Sequence, residues 1–287
     1  MSSIAEQRAQ SLLQDLDIKS LPVNPYEICD RMDINVSEAD YGNSMEGLLY
    51  VQGNLTLIGI NRRSSPGRKR FTCGHELGHL CMDIEVGADG LIRCSNSDIF
   101  NFGKGVDIEV RANQFASELL LPKALSKEEV LNRELSWDKI SDFADLCEVS
   151  LTAAARCFVD LTDEACALVV CSGTKVDWYH KSPSFNFFLE TKSGVSKTTE
   201  AHSALSGSSP NEEFIEVPAD AWLNSYNLSK KDTIQEWSRP LDSYGQVLTI
   251  LWDDQGIGES INSHESRKDF DPNYGWETPT FHKSKRR

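Results

Sequence analysis

The sequence has no Cys-x-x-Cys pair, so it lacks the ligand spacing of a structural zinc ribbon although it holds eight cysteines. These are scattered, mostly in apolar stretches such as Ala165-Cys166-Ala167-Leu168 and Val170-Cys171. That distribution reads as reduced core residues and not as a disulfide framework. No apolar run approaches the roughly 18 residues a membrane-crossing helix needs. The opening Met1-Ser2-Ser3-Ile4-Ala5-Glu6 has neither the basic region nor the apolar region of a signal peptide, so a cytoplasmic protein with no membrane partner is expected. Basic residues are scarce: 29 Lys and Arg against 44 Asp and Glu leave a formal charge of −15. A surface suited throughout to nucleic acid is thereby excluded, because phosphate binding needs clustered cations. Three local basic patches survive the average, at Arg62-Arg63, Arg68-Lys69-Arg70 and Lys283-Ser284-Lys285-Arg286-Arg287, each read most simply as solvated surface charge. No internal repeat is present.

A length of 287 residues with 39% hydrophobic and 25% charged residues fits a globular protein of two domains, 1–162 and 163–287. Apolar spacing predicts a first helix over 4–17, interrupted by Leu21-Pro22-Val23-Asn24-Pro25, and a short second helix from Tyr26 to Met32. Strands follow at Ile34–Val36, Glu46–Val51 and Leu55–Ile60, the last two flanking Gln52-Gly53-Asn54 as a hairpin. Helices are expected at 68–84, 107–121, 137–147 and 151–161, with another opened by Ser126 and Glu129 in capping-box spacing. The stretch 85–106 has weak periodicity and reads as a loop over a site. After Asp163 come strand-like runs at Ala167–Cys171, Phe185–Glu190, Phe214–Val217 and Gln246–Trp252, with a long Ser, Thr and Gly-rich loop over 191–211. The fold class is α+β throughout.

Chemistry concentrates in Phe71-Thr72-Cys73-Gly74-His75-Glu76-Leu77-Gly78-His79-Leu80. On a helix, His75 and His79 lie about 40° apart and one turn along the axis, so both can face one ion. Glu76 beside that ion could take a proton from a water whose pKa zinc has lowered toward neutrality, as metallopeptidases require. A catalytic zinc needs a third protein ligand and an open position. The metzincin extension would put glycine at 82 and histidine at 85, where Met82 and Glu85 stand, so that class is excluded. Downstream candidates are Asp83, Glu85, Asp89, Asp98, Asp107, Glu109 and Glu118; the first two point too far along the same helix to turn back. Glu109 is the best of the others, with Ala112, Asn113 and Ala116 on its stripe, small enough to let its helix approach the histidine helix.

The stretches Arg70–Leu80 and Glu109–Pro122, preceded by Glu46-Gly47-Leu48-Leu49 and Ile60-Asn61, resemble the ImmA/IrrE family of metallopeptidases over about residues 5–160. The resemblance implies a zincin-like, mostly helical domain with a small sheet. It assigns His75, His79 and Glu109 to Zn2+, Glu76 to general base and later general acid, and Asn113 to orienting the ligand helix. It also implies cleavage of a helix-turn-helix repressor after a stress signal, releasing DNA-damage or phage-defence genes. The scissile segment would lie extended against a strand edge near Gly47, Leu48 and Leu49. Gln246–Trp252 and Trp276–Phe281 are similar to the family's carboxy-terminal region, in some members a GAF-like sensory domain.

Residues 136–161 have helix-turn-helix spacing, but Asp138, Asp142, Asp145 and Glu148 crowd the first helix, and a structural helical pair is the better reading. Cys94 lies between the second histidine and Glu109; a thiolate there could occupy the open zinc position as a cysteine switch, and the family resemblance implies such a latch in some phage-defence relatives. Single-stranded DNA, contacting the patches near 62–70 and the tail, and a small molecule in the second domain are the two candidate signals. The alternative function is a non-enzymatic regulatory binding protein with structural zinc, which Glu76 argues against.

Overall fold

Two small polar residues open the first helices in the computed structural model, which describes residues 2–84, 88–95, 107–224, 228–229, 231–241 and 245–257. Ser3 caps α1 (Ile4–Asp15): its hydroxyl accepts the Glu6 N–H at 3.2 Å while the Glu6 carboxylate accepts the Ser3 N–H at 2.6 Å. Two of the helix's orphan donors are satisfied in this reciprocal way. Asn24 caps α2 (Pro25–Arg31), with proline at the first helical position, where its missing N–H costs nothing.

The chain then forms β1 (Asn35–Ala39), β2 (Met45–Gln52) and β3 (Leu55–Asn61), with Gly53 at φ +57 turning the β2–β3 hairpin. Next come α3 (Pro66–Met82), β4 (Gly90–Ser95), α4 (Asp107–Leu120), α5 (Lys123–Leu131), α6 (Trp137–Cys147) and α7 (Leu151–Leu161). The four strands make one sheet in the order β1-β3-β2-β4, with β1 parallel to β3 and the other pairs antiparallel. Beneath it, α3 and α4 approach closely because both present small residues: a Cβ at Gly74 would touch the Ala116 Cβ at 3.4 Å, and one at Gly78 would press on Ala112 Cα and Phe115 Cβ at 3.2 Å. Leu49, Ile58, Ile60, Leu77, Phe115 and Leu119 fill the core between sheet and helices. Each is worth about 1.5–3 kcal/mol of burial. The amino end of α3 is tied to the α6–α7 turn by Arg70, whose guanidinium meets Glu148 at 2.7 Å and the Val23 carbonyl at 2.6 Å. That tie gives the pair of helices a structural duty.

The remaining strands, β5 (Cys166–Ser172), β6 (Lys175–Lys181), β7 (Ile215–Pro218), β8 (Thr233–Leu241) and β9 (Gln246–Trp252), form an antiparallel sheet in the order β6-β5-β9-β8-β7, accompanied by α8 (Glu200–Leu205). A core of Val169, Phe185, Phe187, Trp222, Val247 and Leu251 lies on one face. The chain divides into two compact units, Met1–Asn132 with Ile140–Cys157, and Arg133–Lys139 with the chain from Phe158 onward. Among the described residues, no helix is long and apolar enough to cross a membrane.

Several sequence expectations are corrected here. The stretch 85–106 is not all loop, since Gly90–Ser95 pairs as β4. Gly47, Leu48 and Leu49 are not at an edge, because β2 is paired on both sides. Ser126 does not open a helix: α5 starts after Pro122, and Ser126 is buried within it. Phe185–Glu190 is irregular apart from a single bridge from Leu189 to Leu223, and α8 interrupts the predicted 191–211 loop. Strands β6 and β8 have no counterpart in the expectation. Asp98, residues 96–106, Trp276–Phe281 and the basic tail Lys283–Arg287 lie outside the described residues.

Candidate metal centre

One turn of α3 sets His75 and His79 on the side facing α4, with ring centroids 4.7 Å apart. The first turn of α4 delivers Glu109, whose Oε2 lies 3.1 Å from His75 Nε2 and 3.4 Å from His79 Nε2, while the two Nε2 atoms are 3.0 Å apart. The outer ring nitrogens are already committed. His75 Nδ1 is 2.9 Å from Asn113 Oδ1, and His79 Nδ1 is 2.7 Å from Asp83 Oδ2. Both partners are acceptors, so in a neutral ring Nδ1 carries the proton and Nε2 presents a lone pair. With both rings neutral, three electron-pair donors converge, an arrangement that a cation fits. Cys94 adds a fourth: one ligand atom from each of His75, His79, Cys94 and Glu109 lies within 4.8 Å of the others, and all four residues are buried.

The surroundings set the charges. Burial holds His75 below the ordinary imidazole range. Burial also works against charge on His79, but the Glu109 and Asp83 carboxylates outweigh it and raise its pKa. Glu109 resists its own burial through the two histidines, which lower it to about 2. Glu76 is different. It is fully buried, neither carboxylate oxygen has a geometric hydrogen-bond partner, and burial pushes its pKa to about 8 against the pull of His79 and Cys94. An unpaired buried carboxyl is costly and tends to persist where chemistry uses it.

Of the strand positions marked from the sequence, Gly47 adjoins the site. A Cβ there would lie 2.4 Å from Glu76 Oε1 and 2.5 Å from Thr72 Cγ2, so the missing side chain makes room for the carboxyl. Leu49 faces the same way and is buried in the core, whereas Leu48 is on the opposite face and partly exposed. Two residues have a role at the site that the sequence did not suggest: Asp83, a rejected ligand candidate that instead meets His79 Nδ1, and Arg111, which clamps Asp83 Oδ1 at 2.6 Å. The signal was available, since Asp83 is i+4 from His79 and can reach its outer nitrogen without turning back to the ion.

Residues 29–157 match the Peptidase_M78 family, described as the IrrE N-terminal-like domain. They belong to the ImmA/IrrE family. This is a metallopeptidase family, and the span matched includes both histidines, Glu76, Cys94, Glu109 and Asn113. A protein of Bacillus phage phi105 named "Uncharacterized immunity region protein 2" is 29% identical to the chain over 132 residues, covering 46% of the chain and 79% of that protein. A Mycobacterium tuberculosis transcriptional regulator superposes with a TM-score of 0.52 at 12% identity, over 90% of this chain and 78% of that one, a likeness of fold alone. The IrrE-like domain thus holds a donor set of two imidazoles, a carboxylate and a thiol suited to a metal.

Proposed function

We propose that this chain is a zinc-dependent endopeptidase that cleaves a helix-turn-helix repressor after a stress signal, derepressing DNA-damage or phage-defence genes. One observation carries the reading: an unpaired, fully buried Glu76 sits beside three converging lone-pair donors. A structural metal site has no use for such a carboxyl. Zn2+ suits two imidazoles and a carboxylate, and when bound it would lower the pKa of a water and polarise the scissile carbonyl. His75, His79 and Glu109 would hold it. Asn113 and Asp83 fix the rings by accepting their Nδ1 protons, which keeps the ligand geometry without rearrangement. Glu76 would take a proton from the attacking water and pass it to the leaving amine.

The reading also includes a resting state in which Cys94 is an inhibitory fourth ligand, zincin-like architecture for the first unit, and a GAF-like sensory role for the second. Single-stranded DNA is the signal to test first. At the 62–70 patch it would compete with carboxylates already in place, since Arg63 pairs with Asp40, Lys69 with Glu38 and Arg70 with Glu148. A small molecule in the second unit is the rival signal. The test incubates zinc-loaded chain with the helix-turn-helix repressor encoded beside its gene, with and without single-stranded oligonucleotide, and reads intact masses. Two fragments whose masses sum to the repressor plus one water are expected, in larger yield with the activator. An uncut repressor that nevertheless co-purifies with the chain would favour a regulatory binding protein with structural zinc.

A further inference from the structure

The edge of β2 next to Glu76 is occupied by the chain itself. β4 pairs antiparallel along it from Met45–Ser95 to Val51–Gly90, and among the described residues β4 is an outer strand of the sheet. Cys94 stands directly opposite Gly47 in this ladder. Opposed residues in a ladder point to the same face. The Cβ that Gly47 lacks would run into Glu76, so the Cys94 side chain is directed toward that carboxyl and the histidines behind it. A bulge in β2 between Met45 and Gly47 interrupts the register at this point, a device that re-aims side chains beside active sites.

The strand buries little apolar side-chain surface. Leu91 and Arg93 point outward and are exposed, Ile92 is only partly buried, and Cys94 alone of the six residues is fully buried. At its start Asp89 Oδ1 accepts the Gly53 N–H at 2.8 Å. By contrast, the β2–β3 pairing carries Leu49, Ile58 and Ile60, all without exposure. Local opening follows such differences in buried apolar contact, so β4 can leave while β2 and β3 stay together.

We propose that β4 is a built-in occupant of the substrate site: residues 90–95 fill, by main-chain pairing, the slot on β2 that an extended peptide segment takes during cleavage. The occupant at work is an extended stretch of a protein chain, paired antiparallel to residues 45–51 with its scissile bond where Cys94 now lies. This rests on the peptidase reading for the identity of that occupant. Its consequence is that one movement, release of β4, uncovers the peptide slot and withdraws the thiol together. Trapping the thiol alone is not enough to close the site, and removing the thiol alone does not fully open it.

The test locks the strand. Tyr50 and Leu91 are directly opposite, on the face away from Glu76, and Leu91 is 47% exposed. In zinc-loaded Tyr50→Cys/Leu91→Cys chain, binding of a fluorescein-labelled extended hexapeptide ending in a hydroxamate is followed by anisotropy. The dithiol form is expected to bind, the disulfide form at least tenfold more weakly, and reductant should restore binding. Equal binding in both forms, or none in either, overturns the proposal. The unmodified chain gives a second reading by amide hydrogen exchange. On adding the probe, amides of Leu91 to Cys94 should lose protection while those of Leu57 to Ile60 keep theirs; retained protection across β4 overturns it. Neither readout needs hydrolysis, so a chain that cuts no repressor yet releases β4 would sink the peptidase reading and leave this one standing.

Discussion

Glu76 owes its position to what Gly47 lacks. Gly47→Ala would drive a methyl group to 2.4 Å from the Glu76 carboxyl and 2.5 Å from Thr72 Cγ2, so one of the three must move. A loss of about 1–3 kcal/mol of stability is expected, with a larger fractional loss of peptidase activity. Denaturant unfolding of the zinc-loaded variant checks this, and parental stability with parental activity would contradict it. Asp83 gives a second prediction at this scale: Asp83→Asn weakens the hold on His79 Nδ1, and zinc affinity should fall about 10–100-fold in chelator competition. An unchanged affinity would mean the contact does not support the ligand. His75, Glu76 and His79 were legible because a helix fixes side chains four apart on one face by local geometry alone. Asp83 was equally local. It does not fit as a ligand to the ion, because its carboxylate serves the far side of the His79 ring.

At the scale of elements, α3 and α4 could be read from sequence because small residues at Gly74, Gly78, Ala112 and Ala116 mark a close helix contact on each side. β4 could not. Its six residues sit in a stretch of weak periodicity, and Arg93 between Ile92 and Cys94 gives too short an alternation to separate a strand from a loop. Pairing with β2 is a long-range fact that only the assembled sheet supplies, and it turned a supposed open edge into a covered one. Similarly, the Ser126 and Glu129 spacing imitates a cap, whereas Pro122 had already started α5. If Cys94 ligates zinc at rest, Cys94→Ala should raise repressor cleavage measured without activator several-fold while leaving one zinc bound. Basal cleavage equal to the parent's would remove Cys94 from the resting site.

For the whole molecule, the second unit illustrates why polar interiors hide from sequence patterns. β8 turns Glu236 and Ser238 inward, where Glu236 accepts the Ala201 N–H at 2.7 Å and the Trp222 indole N–H at 2.9 Å, and the Ser238 hydroxyl bonds with Thr249 at 2.8 Å. A reader of alternating hydrophobicity assigns those positions to solvent, so the strand is missed. Burial raises the Glu236 pKa above 4.5 despite these donors. The folded chain therefore holds the proton more tightly than the unfolded one, and the stability this contributes is present at low pH and lost as pH rises through the folded-state value. Unfolding free energy should fall more steeply in the parent than in Glu236→Gln as pH rises above 4.5, measured by denaturant titration at each pH. Parallel pH profiles would contradict this.

The central claim is that Glu76 performs chemistry at a metal it does not hold. It is tested most directly by measuring bound zinc and repressor cleavage on the same sample of Glu76→Gln. The account predicts one zinc per chain, as in the parent, with cleavage lowered by about 10²–10⁴-fold or more. Cleavage at the parental rate with zinc in place would contradict it.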